Sequence, residues 1–155
     1  MSKSLKRVKA ALLTAGSCAV PEEVGQATTA QMAADLVGCS VDQIAKSIIF
    51  RGGYSGAAIL FITAGGNQVD TAKASQLAGE PLGKADADLI RAQTGFAIGG
   101  VSPVGHINQP RAFLDPRLLE FDRVWAAAGT PRHVFGIDPR ELLRISRAED
   151  ADFTG

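Results

Sequence analysis

Two apolar runs held apart by glycine-rich turn material set the first limit on how this chain folds. Lys46-Ser47-Ile48-Ile49-Phe50 reads as a strand and Ala57 to Thr63 as a second, buried one, with Arg51-Gly52-Gly53-Tyr54-Ser55-Gly56 between them. Their β-branched and aromatic content suits a packed, pleated surface, so the two runs are expected to form a hairpin. A lone hairpin is at best marginally stable in water and needs further strands or helices on its faces. The rest of the chain therefore has to cover it.

The flanking segments carry that cover. Leu5, Val8, Leu12 and Ala15 recur at helical spacing, predicting an amphipathic helix from Ser4 to Ala15 that stops at Gly16. After an extended stretch through Pro21 to Gln26, Thr28 and Gln31 read as a capping box opening a helix through Met32 and Leu36 to Gly38. Ser40 and Gln43 repeat the device before the first hairpin strand. Ala64 to Asn67 is a turn. Asp70 caps a helix ending at Gly79, and Asp86 caps one ending at Gly95. Phe96-Ala97-Ile98 reads as a short buried strand, Ala112 to Leu114 as another, Asp115-Pro116 as one helical turn, and Arg123 to Ala128 as a strand. Gly129-Thr130-Pro131-Arg132 then turns the chain into a strand from His133 to Ile137, and Asp138-Pro139-Arg140-Glu141 opens a last helix with cap, proline and glutamate in order. Strands and helices mix without regular alternation. The expected fold is a mixed α/β single domain over residues 1–155, a curved mixed β-sheet surrounded by helices. Its core spans about 5–145, and the tail 146–155, polar from Ala148, is expected to fray.

Composition excludes several classes of function. Sixteen basic and sixteen acidic residues cancel, which argues against bulk capture of long nucleic acid but allows a local grip on a few phosphates. No apolar run is long enough to cross a bilayer, and the basic start Met-Ser-Lys-Ser-Leu-Lys-Arg is not followed by a signal-type apolar region. A cytoplasmic protein without membrane association is expected. Cys18 and Cys39 form no metal-ligand spacing and read as structural thiols. There is no H-E-x-x-H, no P-loop, no dinucleotide fingerprint and no G-x-S-x-G elbow. Neither metal nor cofactor is expected.

The candidate site lies in Phe96 to His106, where Gly99-Gly100-Val101-Ser102-Pro103 interrupts the apolar pattern. Adjacent glycines let another molecule approach the main chain, and Pro103 stiffens the segment after them. From these residues alone the loop also reads as an ordinary connection between core strands. Lys46, at the mouth of an apolar strand, is placed to meet a phosphate or terminal ribose as a point cation, though it also fits a solvated strand entrance. His106 and His133 can act as a base or a hydrogen-bond donor, yet neither belongs to a visible triad. A glycine loop, a lysine and a histidine suit hydrolysis of an already activated ester. Main-chain N–H groups would hold the carbonyl oxygen, with water positioned by main chain or by the substrate's own hydroxyl.

Ala45 to Phe50 followed by Gly99-Gly100-Val101-Ser102-Pro103-Val104-Gly105-His106 resembles the YbaK / prolyl-tRNA-synthetase-associated (INS-like, ProXp-type) aminoacyl-tRNA editing domains. The resemblance runs from about Leu5 to Ile145 and takes in the helix start at Thr28, Val69-Asp70, and the Trp125 to Phe135 hairpin. It implies a trans-acting deacylase that hydrolyses the ester of mischarged tRNA, tRNA(Pro) above all, with the acceptor end as its ligand and prolyl-tRNA synthetase as a possible partner. DNA is not an expected ligand. Lys46 matches the family lysine set against the terminal adenosine and its phosphate, and Gly99 to Pro103 the GxxxP signature lining the aminoacyl pocket. The resemblance thus implies catalytic roles for Lys46, Gly99 and Gly100, and substrate contacts for Val101, Ser102, Pro103, His106, Gly129, Thr130 and His133. Pro131 and Arg132 separate Thr130 from His133, a departure from the Gly-Ser/Thr-His trio frequent in relatives. The removed amino acid, cysteine, alanine, 2-aminobutyrate or another small one, is left open, as is a non-catalytic module for RNA ends or nucleotides that partners a synthetase.

Overall fold

A computed structural model describes residues 2–155. In chain order the elements are α1 (Lys3–Thr14), β1 (Glu22–Glu23), α2 (Ala30–Val37), β2 (Ile44–Gly52), β3 (Ala58–Ala64), α3 (Thr71–Ala78), β4 (Leu82–Lys84), α4 (Ala87–Thr94), β5 (Arg111–Leu114), β6 (Val124–Ala127), β7 (His133–Ile137), α5 (Pro139–Ile145) and β8 (Glu149–Asp150). Short 3₁₀ turns at Val41–Gln43 and Pro116–Glu120 precede β2 and follow β5. The sheet is mixed, in the order β1-β7-β6-β2-β3-β5-β8, with β4 paired to β2 off that path. Its centre is the expected hairpin, β2 against β3, in register from Ala45 opposite Ala64 to Arg51 opposite Ala58.

The central strand β3 is buried on both faces. Leu60 and Ile62 face Leu5, Val8 and Leu12 of α1 together with Leu114 and Phe135. Ile59 and Phe61 face Phe113, Phe153 and Ala74 of α3. A strand sandwiched in this way reads as a continuous apolar run, as Ala57 to Thr63 does. The mixed single-domain architecture agrees with expectation, and among the described residues no helix is long and apolar enough to cross a membrane.

Three local readings need correction, and one strand was missed. Phe96 to Ile98 is a turn, not a strand: Gly95 and Gly99 bracket it at φ of +83° and +91°. Phe96 plugs the core beneath the Arg7 guanidinium while Ile98 is exposed. The α2 cap is Thr29, whose hydroxyl accepts from Met32 N–H, whereas Gln31 reaches forward to Asp35 at 2.9 Å, so no box forms at Thr28. That one-residue shift turns Ala33 and Ala34 inward. The tail is packed: β8 runs parallel to β5, Asp70 N–H donates to the Phe153 carbonyl at 2.8 Å, and Phe153 is fully buried against Phe61. One aromatic residue in a polar segment outweighs its neighbours because it alone completes the second core. Strand β4, the three residues Leu82-Gly83-Lys84, was not expected because it is too short to show an alternation. By contrast, Ser40 and Gln43 form the expected capping box.

Candidate active site in a gap of the sheet

The site begins with an interruption in hydrogen bonding. One edge of β2 pairs with β3 from Ala45 to Arg51. On the other edge β6 takes only Ile44 and Ala45, and β4 only Phe50 to Gly52. Residues 46–49 therefore have no strand partner on that side. Ala64 N–H donates to the Asp115 carboxylate and the Ile62 carbonyl accepts from Asp115 N–H, so both residues turn toward β5. The alternation of an antiparallel ladder then directs the main chain of their partners, Ala45 and Ser47, away from β3. Ser47 presents its N–H and C=O to the gap.

A cavity of about 430 Å³ occupies this gap. Its walls are the start of α2, Ile44 to Ile48 of β2, Ile98, Gly99 and Val101 of the glycine loop, the β6 strand, and the turn into β7. Lys46, Gly99, Val101, Thr130 and His133 all lie on these walls. Thr130 Oγ1 and His133 Nδ1 stand 2.7 Å apart, so the turn brings them together despite the two residues inserted between them. The only ionisable side chains on the walls among the described residues are Lys46 and His133, with no carboxylate.

Lys46 is held at its tip. Its Nζ donates to the Gly65 carbonyl at 3.2 Å. Partial burial pushes its pKa below the usual lysine range, and the charges of Asp115 and Asp42 oppose that shift.

Other expected contact residues sit behind the walls. Gly100 is buried against the β6–β7 turn, where a Cβ would stand 3.0 Å from the Gly129 carbonyl oxygen. Gly129, at φ +95°, packs its other side on the backbone of Ser4. Ser102 is fully buried and its hydroxyl accepts from Val104 N–H, and Pro103 is buried with it. His106 is turned inward: Nε2 lies 2.6 Å from the Ser102 carbonyl, so it carries the ring proton, and Nδ1 is buried without a partner. Burial lowers its pKa to about 4, the Ser102 bond resists, and Arg7 adds to the lowering. The side chains of Ser102, Pro103 and His106 shape the loop from beneath and do not line the cavity, because Phe96 and His106 pack edge to face at 5.1 Å and draw that end of the loop into the core.

A family model described as the aminoacyl-tRNA editing domain matches residues 24–145. The chain belongs to this family. The editing domain is 34 % identical over 127 residues to the uncharacterized protein YwhH of Bacillus subtilis (strain 168), covering 82 % of this chain and 80 % of that one. A solved structure described as a proposed trans-editing enzyme for prolyl tRNA synthetase superposes with a TM-score of 0.93 at 45 % identity, covering 100 % of this chain and 99 % of the other. The hypothetical protein APE2540 superposes at 0.88 with 25 % identity over 96 % and 99 % of the two chains. Every wall of the editing domain's cavity falls inside the matched segment. Sequence reasoning missed the α2 start, Ile44 and Trp125 as wall residues. The last two are brought together by the parallel register of Ile44 with Trp125, and nothing local encodes that pairing.

Proposed function

We propose that this editing domain is a trans-acting aminoacyl-tRNA deacylase that hydrolyses the ester of mischarged tRNA, with tRNA(Pro) carrying a small wrong amino acid as its substrate. The observation that carries this reading is the sheet gap, which places a lysine, a glycine loop and unpaired main chain around one cavity. The 45 % identical neighbour supports the link to prolyl-tRNA synthetase and action in trans. Lys46 holds the phosphate of the terminal adenosine, and Ser47 N–H with the Gly99 loop faces the ester carbonyl. Such donors are worth most where charge develops, on the oxygen of the tetrahedral intermediate. Water adds to the carbonyl carbon, the bond to the ribose oxygen breaks, and the free amino acid and uncharged tRNA leave. No wall carboxylate is available as base, so the attacking water is positioned by main chain or by the neighbouring ribose hydroxyl. His133, braced by Thr130, is the one imidazole within the cavity. The protein works in the cytoplasm, where charged tRNA is made and used.

A single-turnover assay with a panel of mischarged tRNAs tests the reading. Ester loss from tRNA(Pro) bearing one small non-cognate residue is expected. Lys46→Ala removes one charge-assisted contact worth about 1.5–3 kcal/mol, or roughly 10- to 150-fold in kcat/KM, while the fold persists. Binding without ester loss across the panel would replace the enzyme with a non-catalytic RNA-end module, and full activity of Lys46→Ala would remove the lysine from the site.

A further inference from the structure

We infer that Asp42 is a positioning residue for Lys46, acting through the Gly65 carbonyl; the inference rests on the deacylase reading for its kinetic consequence only. The lysine tip is anchored by main chain, and that main chain is itself pinned. Gly65 lies in the turn between β3 and α3. Its neighbour Gly66 donates N–H to Asp42 Oδ1 at 2.9 Å. Ala64 N–H and Asn67 Nδ2 both donate to Asp115 Oδ2, at 3.1 and 2.9 Å, and Asn67 N–H closes the turn on the Ala64 carbonyl. Two carboxylates thus hold the turn on both sides of Gly65, through Ala64 before it and through Gly66 and Asn67 after it. The Gly65 carbonyl accepts from the lysine.

Asp42 is fixed from behind. Its second oxygen accepts from Arg117 Nε at 3.1 Å, and Arg117 also pairs with Glu120 at 3.0 Å and lies over the Phe121 ring. The turn tolerates no side chain in this arrangement: a Cβ on Gly65 would collide with the Val41 carbonyl, and one on Gly66 with the Asp42 carboxylate. Both collisions are with the 3₁₀ turn that launches β2, just ahead of Lys46. The same short segment therefore begins the strand that bears the lysine and grips the turn that receives its tip. Base and tip of one flexible side chain are set by a single rigid unit, which removes the rotamer freedom a lone surface lysine keeps.

The test uses Asp42→Ala, Asp42→Asn and Gly66→Ala in the full chain, each with Lys46 and with Lys46→Ala. The first readout needs no catalysis: modification of Lys46 by an amine-selective reagent, measured by peptide mass spectrometry against exposed Lys84 in the same sample. Asp42→Ala also removes a charge that raises the lysine pKa. The expected result is therefore a raised Lys46:Lys84 ratio in Gly66→Ala, which keeps that charge, as well as in Asp42→Ala; a rise in Asp42→Ala alone overturns the inference. Asp42→Asn, whose amide oxygen can still accept from Gly66 N–H, keeps the fold and should fall between. The second readout is a double-mutant cycle in deacylation. Asp42→Ala should raise KM by about tenfold with kcat largely kept, within the range found for directly coupled residues, and should cost nothing further once Lys46 is alanine. An unchanged labelling ratio in Asp42→Ala, or an equal kinetic penalty in both backgrounds, overturns the inference. If the wild type deacylates no tRNA, the functional reading fails, while the labelling ratio still decides the role of Asp42.

Discussion

Gly100→Ala probes the mechanical link between the glycine loop and the β6–β7 turn. Gly100 has an ordinary backbone conformation, so alanine adds no φ strain and its effect is purely one of space. The new Cβ would stand 3.0 Å from the Gly129 oxygen and 3.1 Å from Thr130 Cα, where ordinary contact begins near 3.4 Å. A few tenths of an ångström must be given up. The turn cannot retreat, because the Cβ position of Gly129 is already 2.8 Å from the Ser4 carbonyl group on its far side. The loop moves instead, and Gly99 and Val101 move with it into or away from the cavity. Overpacking of this kind costs about 1–3 kcal/mol, or roughly 2–12 °C in Tm for a domain of this size. Under the proposed function, displacing the glycine loop should lower single-turnover deacylation by about tenfold or more. Gly83→Ala, where nothing lies within 4 Å of the added carbon, is the matched control and should change neither quantity. Gly100→Ala with wild-type melting and wild-type rate would refute the reasoning.

Burial sets two further outcomes. His106 has a folded pKa of about 4 against an ordinary value of 6.5, so the unfolded chain binds more protons between those values. Its contribution is complete above pH 6.5 and lost as pH falls toward 4, about 3 kcal/mol at most. Urea midpoints of the wild type should drop across that window more steeply than those of His106→Gln, and parallel pH profiles would contradict the assignment. Phe153→Ala should destabilise by about 3–5 kcal/mol in urea, since the ring is fully buried 5.0 Å from that of Phe61. A loss below about 0.5 kcal/mol, the level of a neutral surface change, would mean that the chain end adds nothing to the core.

The parts of the fold legible in the sequence are those determined by near neighbours. The β2–β3 hairpin, the Ser40–Gln43 box and the Asp70 and Asp86 caps each depend on residues a few positions apart, and each forms. Thr28 and Thr29 are chemically almost the same cap, and only the inward turn of Ala33 and Ala34 selects between them. Phe96 to Ile98 is too short for a period to be read, so its two bracketing glycines decide. At the site, Lys46 and Gly99 were readable as types, but the gap between them is set by where β6 stops pairing and β4 begins. The turn inward of His106 was equally hidden, because it depends on Phe96 and Arg7 from distant parts of the chain.

An aperture framed by main chain keeps its outline when the side chains around it are exchanged. Ile98, exposed on the loop, can be traded for a larger or smaller residue without disturbing the rungs that join β2 to β3, which lie on the opposite edge. Under the proposed deacylase function, selectivity for the acyl group is in this way separable from the integrity of the scaffold, and a change of diet need not cost the protein its architecture.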